Sequence, residues 1–169
     1  MTSKISNKIG SPLSNTMIPE MLEQSVVLIK PGFTKFPNIE TMITNKILSL
    51  EGVKLVSRTS GKMTKGQAKM FYIDKKNKSY YDELTDYMSS SEIIAYVFES
   101  KDAISKVRKA VEELRISLKD YFDIPNDVMK NILHATNTKL VNNELSNVDM
   151  LRETKIINEI KGEHKRYVK

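Results

Sequence analysis

The sequence predicts an α/β (α+β) fold in which helices pack on a four-stranded antiparallel sheet. Short apolar runs of strand length alternate with stretches in which apolar residues recur at helical spacing. Pro or Gly separates several of these runs. The chain has 169 residues, 40% of them hydrophobic, which is enough for one domain with a sizeable core and tails.

The first three elements are a strand, a helix and a strand. Residues 25–30 are an apolar run that predicts a buried strand, and it ends at Pro31-Gly32. Apolar residues at helical spacing follow from Ile39 to Leu50, and Gly52 is a suitable stop signal. Residues 53–58 alternate in the manner of a second strand.

Two short helices, a strand and a longer helix are predicted next. Residues 64–67, Thr-Lys-Gly-Gln, form a capping-box pattern that opens a helix through Tyr72. A second short helix spans residues 80–88, and residues 93–98 are the clearest strand of the chain. One face of the following helix carries Ile104, Val107, Val111 and Leu114.

The last predicted strand is residues 132–134, and a helix of mixed charge is expected over 146–163. The order β-α-β-α-α-β-α-β is that of the ferredoxin-like split βαβ fold. We therefore divide the chain into a flexible N-terminal extension (1–23), a central domain (24–145) and a helical, basic C-terminal extension (146–169).

Charge and composition limit the partners and the location. The net charge of +6 favours anionic partners such as nucleotides, but many lysines alternate with acidic residues, so nucleic acid is an unlikely partner. The chain has no cysteine, which excludes disulfides and thiolate metal sites. We find neither an apolar run of about 18 residues nor a secretory signal pattern, so a cytoplasmic protein without membrane attachment is expected.

His134 is the candidate reactive residue. It is the only histidine in the body of the chain, since His164 lies in the charged tail. An imidazole is nucleophilic near neutral pH, and a histidine that follows a short apolar run can carry a phosphoryl group. Lys30 adds a cation at the end of the first strand. Taken alone, these two residues are more typical of a structural histidine and of a lysine that solvates a strand end.

Five segments in order resemble one known family. They are 25–31 (Ser-Val-Val-Leu-Ile-Lys-Pro), 70–72 with 80–88, 90–99, 102–108, and 131–138 (Asn-Ile-Leu-His-Ala-Thr-Asn-Thr). Across residues 25–144 the chain resembles the nucleoside diphosphate kinase family, whose active-site segment usually reads Asn-x-x-His-Gly-Ser-Asp-Ser.

The resemblance implies transfer of a γ-phosphate from a nucleoside triphosphate to a nucleoside diphosphate through a phosphohistidine. By analogy His134 is the nucleophile, Glu144 is the carboxylate that orients its imidazole, and Thr136 is the nearby hydroxyl. The implied cofactor is Mg²⁺, which is held mainly by the nucleotide phosphates, so no residue is assigned as a metal ligand.

The resemblance also implies a set of residues that bind the nucleotide. Lys30 and Asn131 would hold the sugar and help place the γ-phosphate. Tyr72 and Arg108 would bind phosphates, because phosphoryl transfer depends on positioning and positive charge. The ordinary alternatives are a solvated helix flank for Arg108 and core packing for the tyrosine.

Three more residues complete that set. Tyr81 would stack on the base, with Val128 on its other side, since an aromatic face accepts any base. Arg115 would supply a second arginine to the phosphates, with Lys119 as the alternative. Glu144, assigned above, could equally be a surface acid.

Several departures from the family pattern affect the expected activity. Residues 111–115 continue a helix where the family has a long loop, so the loop is shortened and its threonine has no counterpart. Gly32 and Asn137 replace aspartates, and Ala135 replaces a glycine next to the histidine. The alternative function is therefore a catalytically weak or inactive nucleotide-binding or structural module. Family members are hexamers or tetramers of dimers, and without the loop a dimer is expected here.

Overall fold

A computed structural model of the chain describes residues 21–122, 131–137 and 140–167, with side chains described as far as residue 163. The elements, in chain order, are β1 (Glu23–Ile29), α1 (Pro37–Leu48), β2 (Lys54–Gly61), α2 (Lys65–Phe71), α3 (Tyr81–Met88), β3 (Ile93–Ser100), α4 (Ala103–Phe122), β4 (Leu133–Ala135) and α5 (Val141–Tyr167). This order confirms the predicted fold class.

The four strands form one antiparallel sheet in the order β2-β3-β1-β4. β1 lies between β3 and β4, with Leu28 opposite His134 and Ile29 opposite Leu133. β1 ends in a turn where Gly32 has a φ of +90°. That left-handed conformation favours glycine over the aspartate that the family pattern has at this position.

Helices cover both faces of the sheet, which explains why β1 is apolar throughout. Successive side chains of a strand point to opposite faces. Val27 and Ile29 pack in one buried cluster with residues of α1 and α4, whereas Val26 and Leu28 pack in a second cluster with residues of α2, α3 and α5. His134 is directly opposite Leu28 and therefore lies on the side of α2, α3 and α5.

The start of α2 is fixed by the predicted capping box. The Thr64 hydroxyl accepts the N–H of Gln67 at 3.1 Å, and the Gln67 side chain accepts the N–H of Thr64 at 2.9 Å. A short 3₁₀ turn, Ile73–Lys75, follows α2. The capping box therefore fixes where α2 begins, six residues before Phe71 and seven before Tyr72.

Two helices differ from their predicted extent. α4 continues to Phe122, well beyond the predicted stripe, because Leu118 extends its buried face. α5 begins at Val141 instead of Ser146, and its first turn is held by polar contacts rather than by an apolar stripe. Within the described ranges, no helix is long and apolar enough to cross a membrane.

Candidate active site

His134 is held on β4 with its imidazole between two packed elements. Its side chain is 17% exposed. The rings of Phe71 and Tyr72, at the end of α2, approach the imidazole edge-on, with ring centroids 5.1 and 5.7 Å away. The aromatic edges restrict the tilt of the imidazole, and α5 supplies its polar partner.

That partner is Glu144, whose side chain is only 1% exposed. The Glu144 Oε1 atom lies 2.9 Å from His134 Nε2. Its Oε2 atom accepts the hydroxyl of Thr136 at 2.6 Å. The Thr136 oxygen in turn accepts the backbone N–H of Val26 at 2.7 Å. The imidazole is thus connected to the middle of the sheet through one continuous hydrogen-bond network.

The network assigns a role to each nitrogen of the imidazole. An ionised carboxylate only accepts hydrogen bonds, so Nε2 of His134 donates its N–H to Glu144. In the neutral ring the proton is then on Nε2, and Nδ1 keeps its lone pair. The arrangement therefore prepares Nδ1 to act as a nucleophile.

The imidazole borders a cavity of about 180 Å³. Four of the sequence-predicted site residues line it, namely Tyr72, Arg108, His134 and Glu144. The other lining residues are Phe71, Asp74, Lys75, Ala135, Asn137 and Leu140. The lining holds two cationic side chains, Arg108 and Lys75, and two acidic ones, Asp74 and Glu144, so an anionic ligand would be held by contact with the two cations and not by a net positive charge.

Both cations at the cavity are engaged in exposed ion pairs. Arg108 Nε lies 3.3 Å from Glu112 Oε1 one turn along α4, and both side chains are about half exposed. Lys75 Nζ lies 2.6 Å from Asp74 Oδ2, and this hydrogen bond raises the pKa of Lys75. Exposed pairs of this kind are weak, so a phosphate group can compete for either cation.

Two of the sequence-predicted site residues have a buried polar atom without a hydrogen-bond partner among the described residues, the Tyr72 hydroxyl and Asn131 Oδ1, but only Tyr72 lines the cavity. Burial raises the pKa of Tyr72, and the charge of Glu144 raises it further. The Tyr72 hydroxyl therefore stays protonated and is able to donate. An unpaired buried polar atom is costly, and a polar ligand in the cavity would be a partner for the Tyr72 hydroxyl.

Two further predicted site residues, Lys30 and Arg115, do not line the cavity. The Lys30 side chain is buried, and its backbone N–H donates to Ile132 O at 2.9 Å. The Arg115 guanidinium donates from Nε and Nη2 to Leu133 O, at 3.0 and 2.7 Å. Burial lowers the pKa of Arg115. Arg115 thus holds the residue that precedes His134, and neither cation lines the cavity.

Tyr81 is also away from the cavity. It is 9% exposed in the second core cluster, and its hydroxyl donates to Lys69 O at 2.7 Å. Its neighbour Tyr80 is 37% exposed and is the more accessible ring of the two. Val128, the proposed partner of Tyr81 at the base, lies outside the described residues.

Sequence reasoning did not select Lys75 or Asp74. Their position in the sequence could have indicated them, because they follow closely after the predicted end of α2 at Tyr72. A turn at that point brings both residues to the same cavity as Tyr72. The family resemblance assigned no role to this Asp-Lys pair, so neither residue was predicted for the site.

The chain is similar to proteins described as nucleoside diphosphate kinases. The family model of that description matches residues 23–147. A protein of Persephonella marina is 40% identical over 88 residues, which are 52% of this chain and 61% of that protein. One of Rhodovulum sulfidophilum is 34% identical over 53% of this chain and 63% of its own length. One of Wigglesworthia glossinidia brevipalpis is 31% identical over 70% of this chain and 84% of its own length.

The chain therefore spans less than two thirds of the first two relatives. Two solved structures share its fold. The nucleoside diphosphate kinase of Aquifex aeolicus aligns with a TM-score of 0.62 at 24% identity, over 76% of this chain and 95% of that one. The nucleoside diphosphate kinase of Halobacterium salinarum in complex with CDP aligns with a TM-score of 0.56 at 22% identity, over 74% of this chain and 86% of that one. By the extent of the family match, the chain belongs to the nucleoside diphosphate kinase family.

Proposed function

We propose that this protein transfers the γ-phosphate of a nucleoside triphosphate to a nucleoside diphosphate through phosphorylation of His134. Nδ1 of the imidazole attacks the γ-phosphorus, the bond from that phosphorus to the β–γ bridging oxygen breaks, and the nucleoside diphosphate leaves. A second diphosphate then takes the phosphoryl group from Nδ1. Residues 24–145 carry this function.

The observation that supports the proposal most strongly is the chain of contacts from His134 to Glu144 to Thr136. A buried carboxylate on Nε2 keeps the ring in the tautomer that Nδ1 attack requires, and it stabilises the positive charge that develops on the ring. Such an arrangement resembles a nucleophile prepared for covalent catalysis more than a histidine buried for packing.

The phosphates have suitable partners. Arg108 offers a fork of N–H donors and Lys75 a point charge, while the Tyr72 hydroxyl is available for the sugar or the phosphates. Within the described residues no cluster of three His, Asp or Glu side chains would hold a metal ion. As the family resemblance implies, Mg²⁺ would be held mainly by the nucleotide phosphates and would reduce their charge.

A second candidate function is nucleotide binding with slow turnover or none. The continuous course of α4 from Ala103 to Phe122 supports it, because the family pattern has a loop where this helix continues. Ala135 also lines the cavity with a Cβ where the family has glycine. The loss of one phosphate-stabilising group costs on the order of 10²–10³ in rate.

The deciding experiment is incubation of the protein with γ-labelled ATP and Mg²⁺, followed by a chase with GDP. The control pair is His134→Ala and His164→Ala, which removes the other histidine of the chain. We expect an acid-labile, alkali-stable label that GDP removes, that His164→Ala retains and that His134→Ala and EDTA abolish.

Each failure has a distinct meaning. ATP binding without label would favour the second candidate, and label that persists in His134→Ala would contradict the assignment of the nucleophile. Sedimentation of the same preparation tests the proposed dimer, which a hexamer or a monomer would contradict.

A further inference from the structure

His134 is oriented by two elements that come from distant parts of the sequence. The rings of Phe71 and Tyr72 reach it from the end of α2, and Glu144 reaches it from the first turn of α5. The geometry of the imidazole therefore depends on the distance between these two helix ends, and a contact that joins them would control it.

Asn143 makes that contact. Its side-chain Nδ2 donates to Met70 O at 2.9 Å and to Phe71 O at 3.3 Å, which are carbonyls of the last turn of α2. The last carbonyls of a helix have no partner within it, so a side-chain donor there satisfies groups that would otherwise need water. Asn143 also directly precedes Glu144, so a shift of one moves the other.

The orientation of the Asn143 amide is itself determined. Asn147, one turn further along α5 and 2% exposed, donates its Nδ2 to Asn143 Oδ1 at 3.2 Å and to Asn143 O at 2.8 Å. Because Asn143 Oδ1 accepts from Asn147, its Nδ2 is directed to the end of α2. A second link between the same helices, Gln67 Nε2 to Thr154 Oγ1, lies toward the other end of α2.

We propose that Asn143 is a positioning residue for phosphoryl transfer. It joins the first turn of α5 to the last turn of α2 and so holds Glu144 and the aromatic edges in register around His134. The expected effect of Asn143 on the transfer rate rests on the proposed function, whereas its expected effect on the orientation of the His134 imidazole does not. It assigns to Asn143 no contact with the nucleotide.

The physical reason for a catalytic effect is the sensitivity of covalent catalysis to position. Displacement of a reacting group by about 1 Å can cost on the order of 10²-fold in rate. If Asn143 is released, Glu144 loses its fixed distance to α2, and its hydrogen bond to Nε2 of His134 weakens. The imidazole would then sample both tautomers and several tilts, which lowers the fraction of time that Nδ1 is correctly placed.

The test uses Asn143→Asp in the full-length chain, which keeps the shape of the side chain and replaces the donor by an acceptor. The matched control is Asn142→Asp, because Asn142 is exposed and the change adds the same charge to the same turn of α5. Asn143→Ala serves as the second variant, since it removes the donor without a charge and stays interpretable if the aspartate prevents folding.

Two readouts are needed. The first is the ¹⁵N spectrum of the labelled imidazoles, assigned with His164→Gln, which reports the tautomer of His134 without any turnover. The second is steady-state transfer from ATP to GDP. In Asn143→Asp and Asn143→Ala we expect a mixture of tautomers, a kcat that is about tenfold lower, and a KM for ATP within about twofold of the wild type.

The proposal is overturned if the imidazole spectrum is unchanged in both variants, whatever happens to kcat, or if Asn142→Asp produces the same changes. It is likewise overturned if KM rises and kcat stays the same, because the residue would then act in binding. Failure of the proposed function is separate. A wild-type protein that forms no phosphohistidine would refute that function, and the imidazole spectrum would still decide whether Asn143 positions His134.

Discussion

The hydroxyl of Thr136 joins the sheet to the Glu144 carboxylate, and its removal tests how firmly this network is built. The hydroxyl oxygen accepts the N–H of Val26 at 2.7 Å and donates to Glu144 Oε2 at 2.6 Å. Val26 is fully buried, and Glu144 is 1% exposed. Thr136→Val keeps the shape of the side chain and leaves both groups without this partner.

The expected loss of stability follows from these two contacts. A buried amide without a partner costs about 1–3 kcal/mol, and the loss of a hydrogen bond to a charged group costs about 1.5–3 kcal/mol. Together they lower the free energy of unfolding by about 2.5–6 kcal/mol. That is a large part of the 5–15 kcal/mol that is typical of a domain, and it corresponds to a fall in Tm of roughly 5–24 °C for a chain of this length.

Urea unfolding and calorimetry measure this loss, with Thr85→Val as the matched control. Thr85 is also fully buried, but its hydroxyl donates to Asp82 O at 3.1 Å within α3, so we expect a loss of about 1 kcal/mol. Equal losses in the two variants would refute the reasoning, because they would show that the network contributes no more than an ordinary intrahelical hydrogen bond.

Three other contacts lead to measurable expectations. Glu144→Gln replaces one acceptor oxygen by a donor, so labelling of the imidazole should slow by on the order of 10²-fold while ATP still binds; unchanged labelling would contradict its role. Arg108→Ala should slow transfer by on the order of 10²-fold. Lys109 is exposed at the next position of α4, so Lys109→Ala should have little effect. Equal effects of the two substitutions would show that Arg108 is an ordinary solvated surface residue. The hydrogen bonds from Arg58 lower the pKa of Glu40 in the folded protein. A carboxyl group with a lowered pKa stabilises the folded state at any pH above its pKa in the unfolded chain. This contribution is lost as the pH falls through its pKa in the folded protein. Arg58→Leu should therefore lower the urea midpoint at pH 7 but not at about pH 2, and a difference that is independent of pH would show that the contact matters only through packing.

Much of the fold could be predicted because local and long-range preferences agree. The continuous apolar run of β1 indicates a strand that is buried on both faces, and helices do cover both. The Thr64 capping box is also local, so the start of α2 was predictable without tertiary information.

Details that depend on helical phase could not be predicted. Adjacent residues of a helix differ by about 100° in direction, and Tyr80 and Tyr81 have the same chemistry. Only the packing of α3 decides that Tyr81 enters the core and Tyr80 stays accessible. The start of α5 was missed for a related reason, since Asn143 and Glu144 are held by partners more than 70 residues away and on β4.

The sequence also did not indicate how α4 would contribute to the site. Its buried stripe continues to Leu118, and the same helix brings Arg115 to the carbonyl of Leu133. A guanidinium that donates twice to this carbonyl restricts β4 at the residue before His134. The extended helix thus replaces a loop that would have contacted the nucleotide with a rigid support for the histidine. If His134 is the nucleophile, as we propose, the site keeps the orientation of this residue and has fewer groups for the phosphates. Low affinity for nucleotides and slow transfer, rather than a misplaced histidine, are the expected consequences of that exchange.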